Sequence, residues 1–220
     1  MRDIILGVND GLVSTFLLVS GVVGGQLSAT DVLLTGIAGA VAGAISMSIG
    51  EYIATKSQEE VFDAELELER YHLIHHRDHE REQLRDMLAE RGLSGDDLDT
   101  VVEIIDSDDN AMLNMQAALE FGIVDEERRN PFAAAIASGL LFFLGALPSV
   151  IPFVFVGDTG TGLLVAAILS GIGLFAVGAA KTIQTRKNPY LSGAENLALG
   201  MIGGALAYGV GVMFDVVVSG

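Results

Sequence analysis

No cysteine occurs in this sequence, which rules out a disulfide framework and any thiolate zinc site. Lysine is scarce as well: three lysines stand beside nine arginines, and these 12 bases face 29 acids for a formal charge of −17. That balance gives nucleic acid nothing to bind. It resembles the composition of proteins adapted to high salt, which bears on solubility and habitat and not on chemistry. A small-residue cleavage site followed by polar sequence is also missing after the first apolar run, so that run is expected to persist as a membrane helix. Charge itself is missing from two long stretches. Residues 1–55 and 131–220 hold 7 acids and 4 bases, whereas residues 56–130 hold 22 acids, 8 bases and all four histidines.

Flanks this apolar belong in a membrane, and the charged middle reads as a soluble insert. Five segments are long enough to cross about 30 Å of hydrocarbon, at roughly 4–25, 32–55, 132–156, 161–182 and 195–217. The expected fold is an all-α membrane protein: five transmembrane helices, with a cytosolic three-helix acidic insert between helices two and three. Its parts are residues 1–55, holding helices one and two, residues 56–130, the insert, and residues 131–220, holding helices three to five. All 12 basic residues fall on one side of this layout, and the two hairpin turns and the C-terminal tail carry none. The positive-inside rule therefore places the N-terminus and the insert in the cytosol and the C-terminus across the membrane. Acids count little in that rule, so the insert's negative charge is no objection.

Residues 43–58 close the second apolar run and open the charged one. Met47 and Glu51 stand one turn apart there, on a helical face that also carries Gly36, Ala40, Gly43, Ala54 and Gln58. Small residues, one soft ligand and one acid at a membrane edge suit a cation path better than a lipid-facing surface. In helix one, Asp10 lies inside the apolar run on a stripe with Ser14, Leu17, Gly21 and Gly24. A charge at that depth is costly unless it faces protein, water or a cation; the alternative is an interfacial position beside Arg2. Glu195 is open between an interfacial acid and a second pathway acid. The spacings Gly7/Gly11, Gly39/Gly43 and Gly200/Gly204 permit close helix approach. Pro148 and Pro152 free carbonyls that need partners, so the third span is expected to pack inside the bundle.

The insert reads as three helices. The first is expected to run unbroken from Ser57 to Arg91, a rod of about 50 Å, and to stop at Gly92. The second starts at the N-cap Ser94, and the third starts at Asp108 or Asp109, carries Met112, Met115, Leu119 and Glu120, and ends at Gly122. On the rod, Glu65, Glu69, His72, His76, Glu80 and Gln83 recur on one face, with His75 and His79 flanking it. Carboxylates with imidazoles suit Fe²⁺, Mn²⁺, Co²⁺ or Zn²⁺ better than a calcium cage. Arg70, Arg77, Arg81 and Arg85 carry the competing interpretation, a solvated and salt-bridged surface. The metal candidates are thus Asp10, Met47, Glu51, Glu65, Glu69, His72, His76, Glu80, Met115 and Glu120.

Several of these features occur together in one known family. Asn9-Asp10-Gly11-Leu12 in helix one, residues 43–52 ending helix two, the Lys56-Ser57-Gln58 exit, the long acidic insert and Gly145 to Pro148 with Pro152 resemble the vacuolar iron transporter family, nodulin-like membrane proteins included. The resemblance covers nearly the whole chain. It implies a homodimer of five-helix protomers whose first helices line a pore on the two-fold axis. It also implies a cytosolic domain that collects metal, and protons moving against the ion. Asp10 is then the pore carboxylate and Met47 the soft ligand beside it, while Glu69, Glu80 and Glu120 fall at metal-collecting positions. The chain departs from the plant-type pattern in five places. Gly39 replaces an acid two turns before Met47, Glu51 supplies one a turn after it, His72 and Gln83 replace carboxylates, and Gln116-Ala117 replace a methionine pair.

The function expected is transport of divalent metal, Fe²⁺ with Mn²⁺ as a second candidate, out of the cytosol by proton antiport through a pore at a homodimer axis. Zn²⁺ and Co²⁺ are further candidates at the insert. No permanently bound cofactor is called for, and the expected partners are the lipid bilayer, a second copy, the metal ions and protons. The membrane is the plasma membrane in a prokaryote and a vacuolar-type membrane in a eukaryote. The alternative is a metal-sensing or structural membrane protein whose insert binds metal or a partner without transport. A di-iron enzyme needs Glu-x-x-His motifs on two helices, and Glu69-Arg70-Tyr71-His72 is the single match.

Overall fold

The computed structural model describes residues 2–122, 129–185 and 187–219, and every regular element among them is helical. Arg128 and Arg186, two of the bases behind the orientation argument, lie outside the described residues. The chain divides into two compact units, Met1–Tyr52 with Phe132–Gly220, and Ile53–Pro131.

The first unit contains α1 (Arg2–Gly24), the opening part of α2 (Ala29–His75), α6 (Pro131–Val150), α7 (Pro152–Phe155), α8 (Thr159–Ala180), α9 (Thr182–Thr185) and α10 (Pro189–Ser219). Among the described residues, five helices are long and apolar enough to cross a membrane: α1, α2, α6, α8 and α10. Their starts are set by local chemistry. Ser28 and Asp31 bond reciprocally at the head of α2, Ser28 Oγ to Asp31 Oδ2 at 2.6 Å and Asp31 N–H to Ser28 Oγ at 3.3 Å. Asp158 accepts from the Thr161 amide at 2.7 Å before α8. Asn188 accepts from the Tyr190 amide at 2.9 Å, with Pro189 in the first helical position, where its missing N–H costs nothing. That cap starts α10 earlier than the expected 195.

α1 crosses α6 where both backbones are bare. A Cβ at Gly11 would fall 2.0 Å from the Phe142 carbonyl oxygen, and one at Gly145 would fall 2.3 Å from that of Val8. Gly24 and Gly211 allow α1 the same closeness to α10. In α6, Pro148 is accommodated without a break, and the chain interrupts only at Ile151, so the expected third span is two helices. α1 and α6 are the most enclosed of the five, as the prolines required of α6, while α10 is the least enclosed. Asn196 ties three helices together. Its amide donates to Asn9 Oδ1 on α1 and to the Leu174 carbonyl on α8, both at 2.8 Å.

The second unit contains the remainder of α2, then α3 (Arg77–Glu90), α4 (Gly95–Asp106), α5 (Asp109–Gln116) and a π-helical turn, Ala117–Phe121. Its core is Leu73, Leu84, Leu88, Leu98, Val102, Ile105, Met112 and Leu113. Leu84 and Met112 are fully buried, and each such side chain contributes roughly 1.5–3 kcal/mol. Gly92 turns the chain at φ +101° between α3 and α4. Ser94 stands at the head of α4 but makes no side-chain cap bond, whereas Asp108 caps α5 by accepting from the amides of Asn110 and Ala111. The unbroken rod expected from Ser57 to Arg91 is not found. At His76 (φ −137°, ψ 33°) α2 ends and α3 begins. Neither glycine nor proline marks this place. The break coincides with long-range bonds from the next residue, Arg77, whose guanidinium reaches Asp106 at 2.9 Å and Asp109 at 2.6 Å.

Candidate metal site

Each of three apolar stripes in the second unit runs into a polar residue. Glu69 precedes Leu73 by one turn on α2, Glu80 precedes Leu84 and Leu88 on α3, and Gln116 follows Met112 on α5. Residues four apart share a helix face, so the packing that buries Leu73, Leu84 and Met112 carries their polar neighbours inward too. Glu69, Glu80 and Gln116 are 3%, 2% and 0% exposed.

His72 completes the cluster. Its Nδ1 lies 3.8 Å from Glu69 Oε1 and 3.6 Å from Glu80 Oε1. One donor atom from each of Glu69, His72 and Glu80 lies within 4.8 Å of the other two. Metal–ligand bonds of about 2.0–2.2 Å set donors on opposite sides of an ion about 4 Å apart, close to this span. Gln116 Nε2 donates to Glu80 Oε2 at 2.7 Å, which leaves Oε1 as the atom facing His72. Glu69 Oε2 is buried and has no hydrogen-bond partner. The cluster borders a cavity of about 430 Å³, which Glu65, His76, His79, Gln83 and Glu120 also line.

The electrostatics favour an arriving cation. Burial first, then the charges of Glu80 and Glu120, push the Glu69 carboxyl above the ordinary glutamate range, against the pull of His72. The nearby arginines do not relieve this crowding. Arg77 pairs with Asp106 and Asp109, Arg81 with Asp106, and Arg85 with Asp99. The salt-bridged surface weighed from the sequence is therefore real for these arginines, but it runs to α4 and α5. Among the described residues, the basic side chain that Glu69 and Glu80 meet is His72.

Not every candidate from the sequence joins this cluster. Met115 packs against the apolar core together with Leu119, and Met112 is a core residue. The reason is their helical phase, which follows the buried stripe of α5. His75 packs against Tyr71 with tilted rings whose centroids are 4.3 Å apart. Asp10, Met47 and Glu51 belong to the other unit. Asp10 is exposed on α1, and Met47 and Glu51 are half-buried on α2. The stripe expected with Asp10 is only partly exposed. Leu6, Asp10, Ser14 and Leu18 face outward, while Gly24 meets the backbone of Tyr208. Gln116 was visible in the sequence only as a polar residue in a methionine position. Its signal is a lone amide one turn after Met112 on a buried stripe.

Residues 1–212 match the VIT family. A protein of Eucalyptus grandis named vacuolar iron transporter 1 is 31% identical, over 96% of this chain and 84% of its own. A protein of the same name from Tulipa gesneriana is 31% identical, over 94% of this chain and 84% of its own. A vacuolar iron transporter of Acanthamoeba castellanii is 32% identical, over 81% of this chain and 68% of its own.

Proposed function

Because the chain belongs to the VIT family, we propose that it carries divalent metal across a membrane, Fe²⁺ first and Mn²⁺ second, and that residues 56–130 collect the ion on the cytosolic side. The observation that carries this proposal is the Glu69–His72–Glu80 cluster: two buried carboxylates and an imidazole around a cavity whose neighbouring arginines are engaged elsewhere. Oxygen and nitrogen donors of this kind suit Fe²⁺ and Mn²⁺. Five membrane-length helices give the cargo a barrier to cross, and the relatives are named as iron transporters. The parts in this proposal are residues 1–55 and 131–220 in the membrane and 56–130 in the cytosol, oriented by the basic residues.

The path is proposed along α1. Asp10 lies on a face that the rest of its own unit leaves exposed, and an acid facing lipid at that depth costs roughly 2.5–3.5 kcal/mol. A second copy related by a two-fold axis covers that face and brings two Asp10 and two Met47 together, enough donors for a dehydrated divalent ion. Protons released or taken up by these carboxylates give the counter-flow of an antiport.

The test is uptake into proteoliposomes holding the full chain, with Fe²⁺, Mn²⁺, Co²⁺ and Zn²⁺ in parallel and with or without a pH gradient. Accumulation of Fe²⁺ that is faster with an acidic lumen is the expected result. Metal binding without accumulation of any ion would instead establish a sensor or scaffold.

A further inference from the structure

Among the described residues of the second unit, Gln116 is the fully buried side-chain amide, and its two ends are treated differently. Its Nε2 donates to Glu80 Oε2 at 2.7 Å and to the Glu80 backbone carbonyl at 3.3 Å. Its Oε1 is buried without any hydrogen-bond partner. A buried acceptor left unpaired is a cost that an apolar side chain of the same size does not carry. Packing alone therefore favours methionine or leucine at a position flanked by Met112 and Leu113, which are core residues. The amide also does not line the cavity, where Glu69, His72 and Glu80 do. The side chain it touches is the carboxylate of Glu80, on the oxygen other than the one paired with His72.

We propose that Gln116 is the positioning residue of the metal site: by holding Glu80 Oε2 it fixes the carboxylate plane so that Oε1 points at the ion. This rests on the metal-site interpretation of Glu69, His72 and Glu80. The geometry makes the bond a directional one. Both atoms contacted by Nε2 are acceptors, so the amide can be seated only with its N–H₂ toward Glu80. Glu80 has two rotatable bonds beyond its Cβ, and freed of Gln116 its carboxylate can turn or be shared monodentately at a longer distance. Partners of this kind that orient a ligand commonly change metal affinity by 10- to 100-fold when removed. The resulting set is anchored rather than adaptable. α3 supplies the ligand, α5 supplies its clamp, and the core of Leu84 and Met112 between them sets the distance.

The experiment uses the full-length protein in detergent, titrated with Mn²⁺ and followed by calorimetry and by the Mn²⁺ electron paramagnetic resonance spectrum. Gln116→Met keeps the volume and removes the donor. Gln116→His restores an N–H near the place of the amide nitrogen. Gln116→Met is expected to bind Mn²⁺ about 10- to 100-fold more weakly, with an altered spectrum and a thermal midpoint of the metal-free protein no lower than wild type. Gln116→His is expected to recover most of the affinity. Wild-type affinity and spectrum in Gln116→Met would overturn the positioning role while leaving the site intact. Equal losses in both variants with a lowered midpoint would also overturn it, making Gln116 a packing residue only. A wild-type protein that binds no Mn²⁺ in this unit, shown by an unchanged titration in Glu69→Ala with Glu80→Ala, would overturn the metal site itself.

Discussion

Glu80 Oε1 lies 3.6 Å from His72 Nδ1 although eight residues separate them in the chain. On a straight α-helix the same two residues stand about 12 Å apart along the axis. The helix break at His76 closes that gap, and it also brings Glu80 beside Glu69. The face counted from the sequence as Glu65, Glu69, His72, His76, Glu80 and Gln83 is therefore not a stripe along a rod. It is the inner lining of a bend, and lining a bend converges donors that a rod would string out over several turns.

Arg77 is expected to hold that bend. Its guanidinium reaches Asp106 at the end of α4 and Asp109 at the start of α5, and these bonds raise its already high basicity. The side chain is 41% exposed, so the pairs contribute at most about 1 kcal/mol to stability. Arg77→Ala should thus unfold at nearly the wild-type denaturant concentration yet bind Mn²⁺ several-fold more weakly, because α3 is freed to drift from α2. Calorimetric titration beside a urea unfolding curve reads both. Unchanged affinity would show that the core alone fixes the bend.

Metal binding should weaken as the pH falls, through Glu69. Burial and the charges of Glu80, Glu120 and Glu65 raise its carboxyl above the ordinary value of 4.5, with His72 opposing. Between the ordinary and the raised value the unfolded chain has released a proton that the folded chain still holds. Stability of the metal-free protein therefore falls as pH rises through that window. An ion must displace the same proton, so apparent affinity rises with pH over that window and levels off above it. Mn²⁺ titrations stepped from below the ordinary glutamate range to neutrality should show this slope, and Glu69→Gln should flatten it at a lower overall affinity. An undiminished slope in Glu69→Gln would assign the proton to another group.

Much of the helix layout was legible from local signals. Apolar length marked five spans, Asp108 and Gly122 marked the ends of the last insert helix, and the prolines marked α6 as an inner helix. The break at His76 was not legible because no glycine or proline marks it, and the bonds beside it run from Arg77 to Asp106 and Asp109, some thirty residues away. Asn188 and Pro189 did signal the start of α10, in a stretch too polar for a hydropathy count to include. Glu69 and Glu80 were recoverable from the sequence as acids one turn before Leu73 and Leu84, on stripes that ought to be apolar. Gln116 and Met115 were not separable without the phase of α5, which buries the first against Glu80 and packs the second, half-buried, against the apolar core.

Across the proposed two-fold axis, α1 should meet its copy through the face its own unit leaves open. Cysteines at Leu6 and Ser14, both exposed, should form intersubunit cross-links in the membrane. Cysteines at Leu12 and Phe16, which are 2% and 4% exposed and packed within the protomer, should not. Cross-linking followed by denaturing electrophoresis distinguishes the two sets. A fully active monomer, or cross-links from the buried set only, would dismiss the axis along α1.

Pore and collector should fail in different ways. On the proposed path a cation has shed its water beside Asp10, whose charge offsets that loss. Asp10→Asn is nearly isosteric and should fold normally. The uncompensated charge is then worth roughly 2.5–3.5 kcal/mol, which is about two decades in transport rate. The Glu69–His72–Glu80 cluster is instead the proposed point of capture before the ion crosses, at a cavity lined by further donors in Glu65, His76, His79 and Glu120. Losing part of that set lowers occupancy at scarce metal but leaves the path unaltered. Glu69→Ala with His72→Ala and Glu80→Ala should therefore raise the half-saturating metal concentration by about tenfold or more, with the maximal rate kept at high metal. Initial rates in proteoliposomes over a range of Fe²⁺ or Mn²⁺ concentrations separate these outcomes. If the triple variant follows the wild-type curve throughout, the cluster is a buried acid pair with no part in capture. If Asp10→Asn transports normally, the ion takes a route that does not pass Asp10, and the proposed pore along α1 is wrong.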